Sequence, residues 1–182
     1  MSKKTFALLA AIAAATTAAG CASSRNLDAT FSDFGANAEM KSALFADRDY
    51  DYSDVDLTVY EGRLMLTGTM RSERDREALL KNAWSVKGVK QVIDAMVIAD
   101  KTSFGQGFED TRIDQTLRTK LIADGGVVSG DYKIAVSGAT VYLLGATRHE
   151  EQLKRVLQHA STTPGVEKVV TYVEVRDSVA MR

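Results

Sequence analysis

The sequence has a single cysteine, a single proline and no large excess of charge of either sign. One cysteine excludes an intramolecular disulfide and a zinc site built from several thiolates. Lysine and arginine number 23 against 24 aspartates and glutamates, so the chain lacks the basic character that drives binding to nucleic acid. With 45% apolar and 26% charged residues, the composition is that of a folded chain. We expect a globular protein with no nucleic-acid partner.

An apolar stretch lies near the N-terminus, at residues 6–15, and is shorter than the roughly 20 residues that span a bilayer. Lys3 and Lys4 precede it, and small residues follow it up to Cys21, the only cysteine. A charged start, a short apolar stretch and a small-residue cleavage site are typical of a signal peptide. The pattern predicts a signal peptide over residues 1–20.

The segment Ala18-Ala19-Gly20-Cys21 resembles the lipobox of bacterial lipoproteins. The resemblance implies cleavage before Cys21, diacylglycerol on its thiol and a fatty acyl chain such as palmitate on its new amine. Ala22 in the next position implies sorting to the outer membrane, facing the periplasm. Residues 21–35 are small and polar, and as a flexible coil they reach roughly 20 Å, so we expect a lipidated tether.

The rest of the chain is an internal repeat, in which 36–100 align with 113–177 without a gap. We call these ranges the first unit and the second unit, with a linker and start of the second unit at 101–112 and a C-terminal tail at 178–182. The identical pairs are Leu44/Leu121, Ala46/Ala123, Asp47/Asp124, Asp54/Asp131, Val59/Val136, Leu66/Leu143, Gly68/Gly145, Arg71/Arg148, Glu73/Glu150, Leu80/Leu157, Ala83/Ala160, Gly88/Gly165, Val89/Val166, Val92/Val169 and Asp100/Asp177.

Each unit has the same predicted elements. Ile113, Leu117 and Leu121 recur every four residues, which predicts a helix, and Thr111 with Asp114 has the spacing of a capping box at its start. Residues 56–59 and 64–67 alternate in polarity around Gly62 and predict a hairpin, repeated at 133–136 and 141–144.

A second helix follows, opened in the first unit by Ser72 with Asp75 and stopped by Gly88, as by Gly165 in the second unit. The last strand is predicted over 89–98 and 166–175. The fold class is therefore α+β: two tandem αββαβ units, each with two helices packed on a three-stranded mixed sheet. A right-handed crossover places the third strand parallel to the second.

This unit resembles the BON domain. The features that carry the resemblance are the glycine near the end of strand two (Gly68, Gly145), the Arg-x-Glu after it (71–73, 148–150) and the Gly-Val before strand three (88–89, 165–166). A lipobox with two tandem BON units resembles a family of outer-membrane lipoproteins associated with division-site localisation and envelope integrity. The resemblance implies no enzymatic activity, no cofactor, and binding of anionic phospholipid through the first helix of the second unit.

Signatures of catalysis and metal binding are lacking in the sequence. His149 and His159 both fall on the second unit's second helix, where we expect solvated surface residues. Asp47, Asp49 and Asp51 have the spacing that begins a calcium loop, but the required glycine and bidentate glutamate are replaced by Tyr52 and Thr58. We predict no metal site.

Charge distinguishes the two units. Residues 36–100 have 9 basic and 12 acidic side chains, net −3, whereas 101–182 have 11 and 10, net +1. The second unit is therefore the better candidate for an anionic surface. The candidate phospholipid contacts on its first helix and the following loop are Arg112, Arg118, Lys120, Ile122, Val127 and Val128.

Two alternatives remain at this stage. In the first, Ile122 and its counterpart Phe45 each pack beneath the second helix of their own unit, and Arg118 is simply solvated. Alternatively the protein is an adaptor for an envelope protein or a secretion machine, in which Phe45, Tyr50 and Tyr52 contact the partner. We also expect the two units to support each other, since domains of about 65 residues bury only ~60% of their unfolded surface.

Overall fold

The computed structural model describes Leu44, residues 51–99 and residues 104–176 of the 182. The predicted signal peptide, the tether with Cys21 and the C-terminal tail lie outside the described residues, as does the first helix of the first unit apart from Leu44. The elements are β1 (Val55–Tyr60), β2 (Arg63–Met70), α1 (Glu73–Ser85), β3 (Gln91–Ile98), α2 (Phe104–Ala123), β4 (Tyr132–Ser137), β5 (Thr140–Thr147), α3 (Glu150–Ser161) and β6 (Lys168–Val175). A 3-10 turn at Ser129–Asp131 precedes β4.

The strands form two three-stranded sheets, in the orders β1-β2-β3 and β4-β5-β6. In each sheet the first two strands are antiparallel and the last two are parallel. Val55 pairs with Gly68, and Tyr132 pairs with Gly145 at the equivalent positions of the second unit. The predicted α+β class with two mixed sheets is confirmed.

Each unit has its own apolar core between the sheet and its helices. In the second unit, Ile113, Leu117 and Leu121 of α2 are fully buried against β4, β5 and α3, as their four-residue spacing predicts. In the first unit, Leu44 is fully buried with Leu79 and Ala83 of α1. The repeat therefore reproduces the same packing in both copies.

Gly68 and Gly145 show why the repeat retains a glycine near the end of its second strand. A Cβ at Gly68 would lie 2.0 Å from the carbonyl oxygen of Asp54, and one at Gly145 would lie 2.1 Å from that of Asp131. Both distances are far shorter than a van der Waals contact. The backbone just before the first strand runs so close beside the second strand that only a hydrogen atom fits at the glycine.

The start of α2 differs from the sequence prediction. The predicted capping box at Thr111 is wrong, because α2 begins at Phe104 and Thr111 lies within it, where its hydroxyl donates to the carbonyl oxygen of Gly107. The helix thus extends into the predicted linker at 101–112. By contrast, the Ser72 cap is confirmed: its Oγ accepts a hydrogen bond from the backbone N–H of Asp75.

The helix ends also differ from the prediction. α1 ends at Ser85 and α3 ends at Ser161, so Gly88 and Gly165 lie in the loops beyond them and do not cap them. Both glycines have positive φ, at 93° and 91°. Their conformation turns the chain into the third strand of each unit.

The two sheets pack against each other on the faces opposite their helices. Met65 and Ile93 of the first unit form one buried cluster with Tyr142 and Leu144 of the second. Arg176, beyond β6, forms an ion pair of 2.6 Å with Glu61 in the β1–β2 turn, and this carboxylate is the main reason why the pKa of Arg176 is raised. The units are therefore joined by apolar and ionic contacts.

Candidate functional site

The outer face of α2 is the surface on which the sequence places a phospholipid contact. The stripe of Ile113, Leu117 and Leu121 faces the core, and Asp110 on the same side is also buried. Its carboxylate accepts hydrogen bonds of 2.8 Å from the backbone N–H groups of Gly138 and Ala139, which fixes α2 to the β4–β5 turn. The opposite face of α2 is therefore directed towards solvent.

Ile122, one residue beyond the core stripe, is 73% exposed. The alternative that it packs beneath the second helix of the unit is wrong. It borders a groove of about 230 Å³ that lies between the C-terminal half of α2 and the start of β4. Arg118 and Lys133 contribute cationic side chains to this groove, and Ser129 and Gly130 also line it. An exposed aliphatic side chain beside cations suits the interfacial region of a bilayer.

Arg118 is exposed but engaged within the protein. Its guanidinium forms two hydrogen bonds to the carboxylate of Asp114, at 2.7 and 2.9 Å, and donates a third of 2.9 Å to the carbonyl oxygen of Ile134. These contacts hold the guanidinium at the edge of the groove. To bind a phosphate, the guanidinium of Arg118 must redirect to it hydrogen bonds that it now donates to Asp114.

Arg112 and Lys120 are engaged as well. Arg112 forms an ion pair with Glu109 one turn earlier, which raises the pKa of Arg112 and lowers that of Glu109. The Nζ of Lys120 lies 3.2 Å from the carbonyl oxygen of Thr162 and 3.1 Å from the hydroxyl of Thr163, at the end of α3. Lys120 therefore connects α2 to α3.

The two loop valines occupy different environments. Val127 is buried among the core residues of the second unit, whereas Val128 is 46% exposed. Of the six predicted contacts, the structure thus places Ile122 and Arg118 around one groove, keeps Val128 exposed nearby in sequence, and removes Val127 from the surface. Binding at the candidate site remains a prediction.

Sequence reasoning missed two residues. Phe108 is 67% exposed and lies on α2 ahead of Ile122. At 100° per residue, the two side chains are about 40° apart around the helix and roughly 21 Å apart along it. The spacing of Phe108 and Ile122 is visible in the sequence, but it places them on one side of a helix only if that helix starts before residue 108. Lys133 also lines the groove. It lies in β4, shortly after the turn at Ser129–Asp131, and no spacing in the sequence marks it.

The residues of the predicted adaptor surface are not gathered into a described patch. Tyr52 is 6% exposed and packs in the core of the first unit. Phe45 and Tyr50 lie outside the described residues. Tyr52 therefore has no accessible aromatic surface with which to contact a partner protein, as the adaptor alternative requires.

The two histidines differ in their surroundings. His149 is the exposed N-cap residue of α3 and makes no side-chain cap. His159 is not the solvated residue expected from the sequence, since its Nε2 lies 2.8 Å from a carboxylate oxygen of Asp124. This contact, with the backbone N–H of Gly126 and the guanidinium of Arg155, lowers the pKa of Asp124 to about 2. The cluster fastens the end of α2 to α3.

Metal-binding and membrane-spanning features are both absent from the part of the chain that the structure describes. Within 51–99 and 107–176, no group of three or more His, Cys, Asp or Glu side chains is arranged to hold a metal ion. None of the helices in the described ranges combines the length and the apolar character needed to cross a bilayer.

Comparison with protein families gives two matches within the chain. A model of the BON domain matches residues 32–100 and 109–177. The two matched ranges are offset by the same interval as the repeat, and the first begins inside the predicted tether of 21–35.

Three relatives illustrate the similarity. The chain is 29% identical over 132 residues to an uncharacterised protein in the gshII 5′ region of Anaplasma centrale, a match covering 72% of this chain and 87% of the relative. It is 28% identical over 116 residues to the outer membrane lipoprotein DolP of Haemophilus influenzae, covering 64% and 60% of the two chains. It is 29% identical over 150 residues to the osmotically-inducible protein Y of Escherichia coli, covering 81% and 75%.

Proposed function

The chain belongs to the BON domain family, and on that premise we propose that it is a non-enzymatic lipoprotein of the bacterial envelope. Its role is to hold two BON domains at the periplasmic face of the outer membrane and to contact anionic phospholipid there, supporting envelope integrity. The similarity to an outer membrane lipoprotein supports the location. The two matched domains account for most of the chain and support a binding role.

The proposed anchor is an acyl group on Cys21. The only cysteine of the chain follows a signal-like segment and a run of small residues. Two or more acyl chains hold a protein on a membrane for practical purposes permanently. Replacing Cys21 with Ser should release the protein from the membrane fraction or leave an uncut precursor. Mass spectrometry that finds an unmodified thiol at Cys21 in the mature protein contradicts the anchor.

The proposed lipid contact is the groove beside Ile122, and the exposure of this side chain is the observation that carries it. A membrane contact requires an apolar group that can enter the interfacial region and cations that meet the phosphates. Ile122 supplies the first, and Arg118 at the groove edge supplies the second. The exposed ion pair of Arg118 with Asp114 contributes little stability, so exchange of Asp114 for a lipid phosphate is inexpensive.

Such a contact is weak by itself, because a few cations at an anionic surface give only a modest binding energy. The anchor changes this, since a tethered domain meets the surface at a high effective concentration. Anchor and headgroup contact therefore act together. Co-sedimentation of the chain from Ala22 onward with vesicles, with and without anionic lipid, tests the contact. Equal recovery with both kinds of vesicle would favour the adaptor role instead.

A further inference from the structure

Trp84, the only tryptophan of the chain, is 57% exposed at the end of α1 in the first unit. It lies within residues 81–90, which contain three exposed lysines and no acidic residue; we call this segment the basic end of the first unit. Tryptophan is enriched at the boundary between water and lipid, because its ring is apolar and its N–H group is polar. The net charge of −3 of the first unit does not reveal this group of three lysines.

The lysines of the basic end differ from the predicted lipid-binding cations of the second unit. Within the described ranges, Lys81, Lys87 and Lys90 have no ion-pair partner and no side-chain hydrogen bond. Arg118 and Lys120, in contrast, are both bonded to protein groups. A cation that gives up no internal contact has a larger net attraction to an anionic surface. The lysines of the basic end are therefore more available to a membrane than the predicted contacts Arg118 and Lys120.

The fold separates the charges of the first unit. Because β2 and β3 are parallel, α1 must run back along the sheet, so its start lies at the beginning of β1 and its end lies at the β1–β2 turn. Asp54 and Asp56 are at the first of these ends, together with the acidic first turn of α1. The lysines are at the other end, where the backbone N–H of Lys90 donates to the carbonyl oxygen of Gly62.

One carboxylate, Glu61, lies in the β1–β2 turn at the basic end. It is paired at 2.6 Å with Arg176 of the second unit, which neutralises it. The association of the units thus removes the only acidic charge in this turn. Among the residues that the structure describes at this end, it leaves the three lysines as the net charge.

We propose that the basic end is a second membrane contact, in which Trp84 enters the interfacial region of an anionic bilayer and Lys81, Lys87 and Lys90 meet its phosphates. The position of the Ile122 groove supports a bilayer as the partner. The turn at Ser129–Asp131 lines that groove through Ser129 and Gly130, and lines a small cavity with Glu61 through Asp131. Both surfaces are therefore at one end of the molecule, where a flat membrane can meet both.

The single tryptophan makes this proposal directly testable. The mature chain as isolated from cells is combined with vesicles of phosphatidylcholine alone or with phosphatidylglycerol, and Trp84 fluorescence is recorded. We expect two results with the anionic vesicles only. The emission shifts to shorter wavelength, and lipids brominated on their acyl chains quench it. The choice of a bilayer as the partner rests on the contact proposed for Ile122, but Trp84 is the only tryptophan, so its fluorescence reports on the surroundings of the basic end and not on those of the groove.

A matched pair of variants assigns the effect to the basic end. Lys81→Glu and Arg74→Glu make the same change of charge on exposed residues of the same helix, but Arg74 is at the acidic end. We expect Lys81→Glu to reduce the anionic-lipid quenching of Trp84 at least about fivefold, and Arg74→Glu to leave it within error. Equal loss in both variants, or identical Trp84 spectra with neutral and anionic vesicles, overturns the proposal. The second result would leave a protein as the remaining candidate partner for Trp84.

Discussion

Arg63 of the first unit donates a hydrogen bond of 2.7 Å to the carbonyl oxygen of Tyr172 in the second unit. Its guanidinium also reaches the carbonyl oxygen of Gly145 at 3.3 Å and the carboxylate of Glu174 at 3.3 Å, and the residue is 8% exposed. The corresponding position in the second unit is Thr140. The repeat is thus symmetric in fold but asymmetric at the contact between its copies.

We predict that Arg63→Ala destabilises the protein by about 3 kcal/mol, because it leaves two backbone carbonyl groups of the second unit without a buried donor. Urea unfolding of the chain measures this change. Arg148→Ala removes an exposed arginine at the cavity beside the same contact and should alter stability by less than about 0.5 kcal/mol. Equal effects of the two substitutions would mean that the buried bonds of Arg63 contribute nothing.

A substitution at Gly145 tests the close approach of strand and backbone. We expect Gly145→Ala to destabilise the second unit by about 3 kcal/mol or more, because its Cβ would collide with the carbonyl oxygen of Asp131. Gly107→Ala is the control, since Gly107 is within α2 with open space around it. There the alanine should stabilise the helix by about 0.5–1 kcal/mol. Thermal unfolding by circular dichroism distinguishes the two directions.

Asp124 should make stability depend on pH in the acid range. Its pKa is about 2 in the folded protein, mainly because of His159, and about 4 in an unfolded chain. Its stabilising contribution is therefore complete above pH 4 and is lost as the pH falls towards 2. We expect Asp124→Asn to be less stable than the parent at pH 7, with a difference that disappears near pH 2. Urea unfolding at pH 7, 4 and 2 would reveal a constant difference if the carboxylate had no such role.

Charge reversal tests the groove of the second unit. Arg118→Glu should weaken binding to anionic vesicles about tenfold but leave binding to neutral vesicles unchanged, and the loss should shrink as added salt screens the charges. Ile122→Ser should weaken binding at every salt concentration, because it removes apolar contact. Lys154→Glu on α3 makes the same charge change away from the groove and serves as the control. Equal losses for Arg118→Glu and Lys154→Glu would place the site elsewhere.

Local patterns were sufficient to predict most of the fold. The period of Ile113, Leu117 and Leu121, the alternation in the strands and the internal repeat can all be read directly along the chain, and each is confirmed. The cap at Ser72 is local in the same way. The start of α2 was not predictable, because Thr111 has the same spacing to Asp114 inside a helix as at its first turn.

The candidate surfaces required the tertiary structure. Periodicity placed Ile122 beside the core stripe but did not show whether a second helix covers it, since that depends on how α3 packs. Composition gave the first unit a net charge of −3. It could not show that the parallel arrangement of β2 and β3 places acidic and basic side chains at opposite ends of the unit.

The sequence by itself thus determined the repeat and the type of each element, because periodicity specifies them, and it determined the order of the strands through the hairpin and the helical crossover. Only the tertiary structure decided which cations are bonded internally, that Arg176 neutralises Glu61, and that Trp84 remains exposed beside lysines that pair with no described residue. The pairing of Arg176 with Glu61 depends on the packing of one sheet against the other, and the bonds of Lys120 to Thr162 and Thr163 depend on the packing of α2 beside α3, so both join residues far apart in the chain.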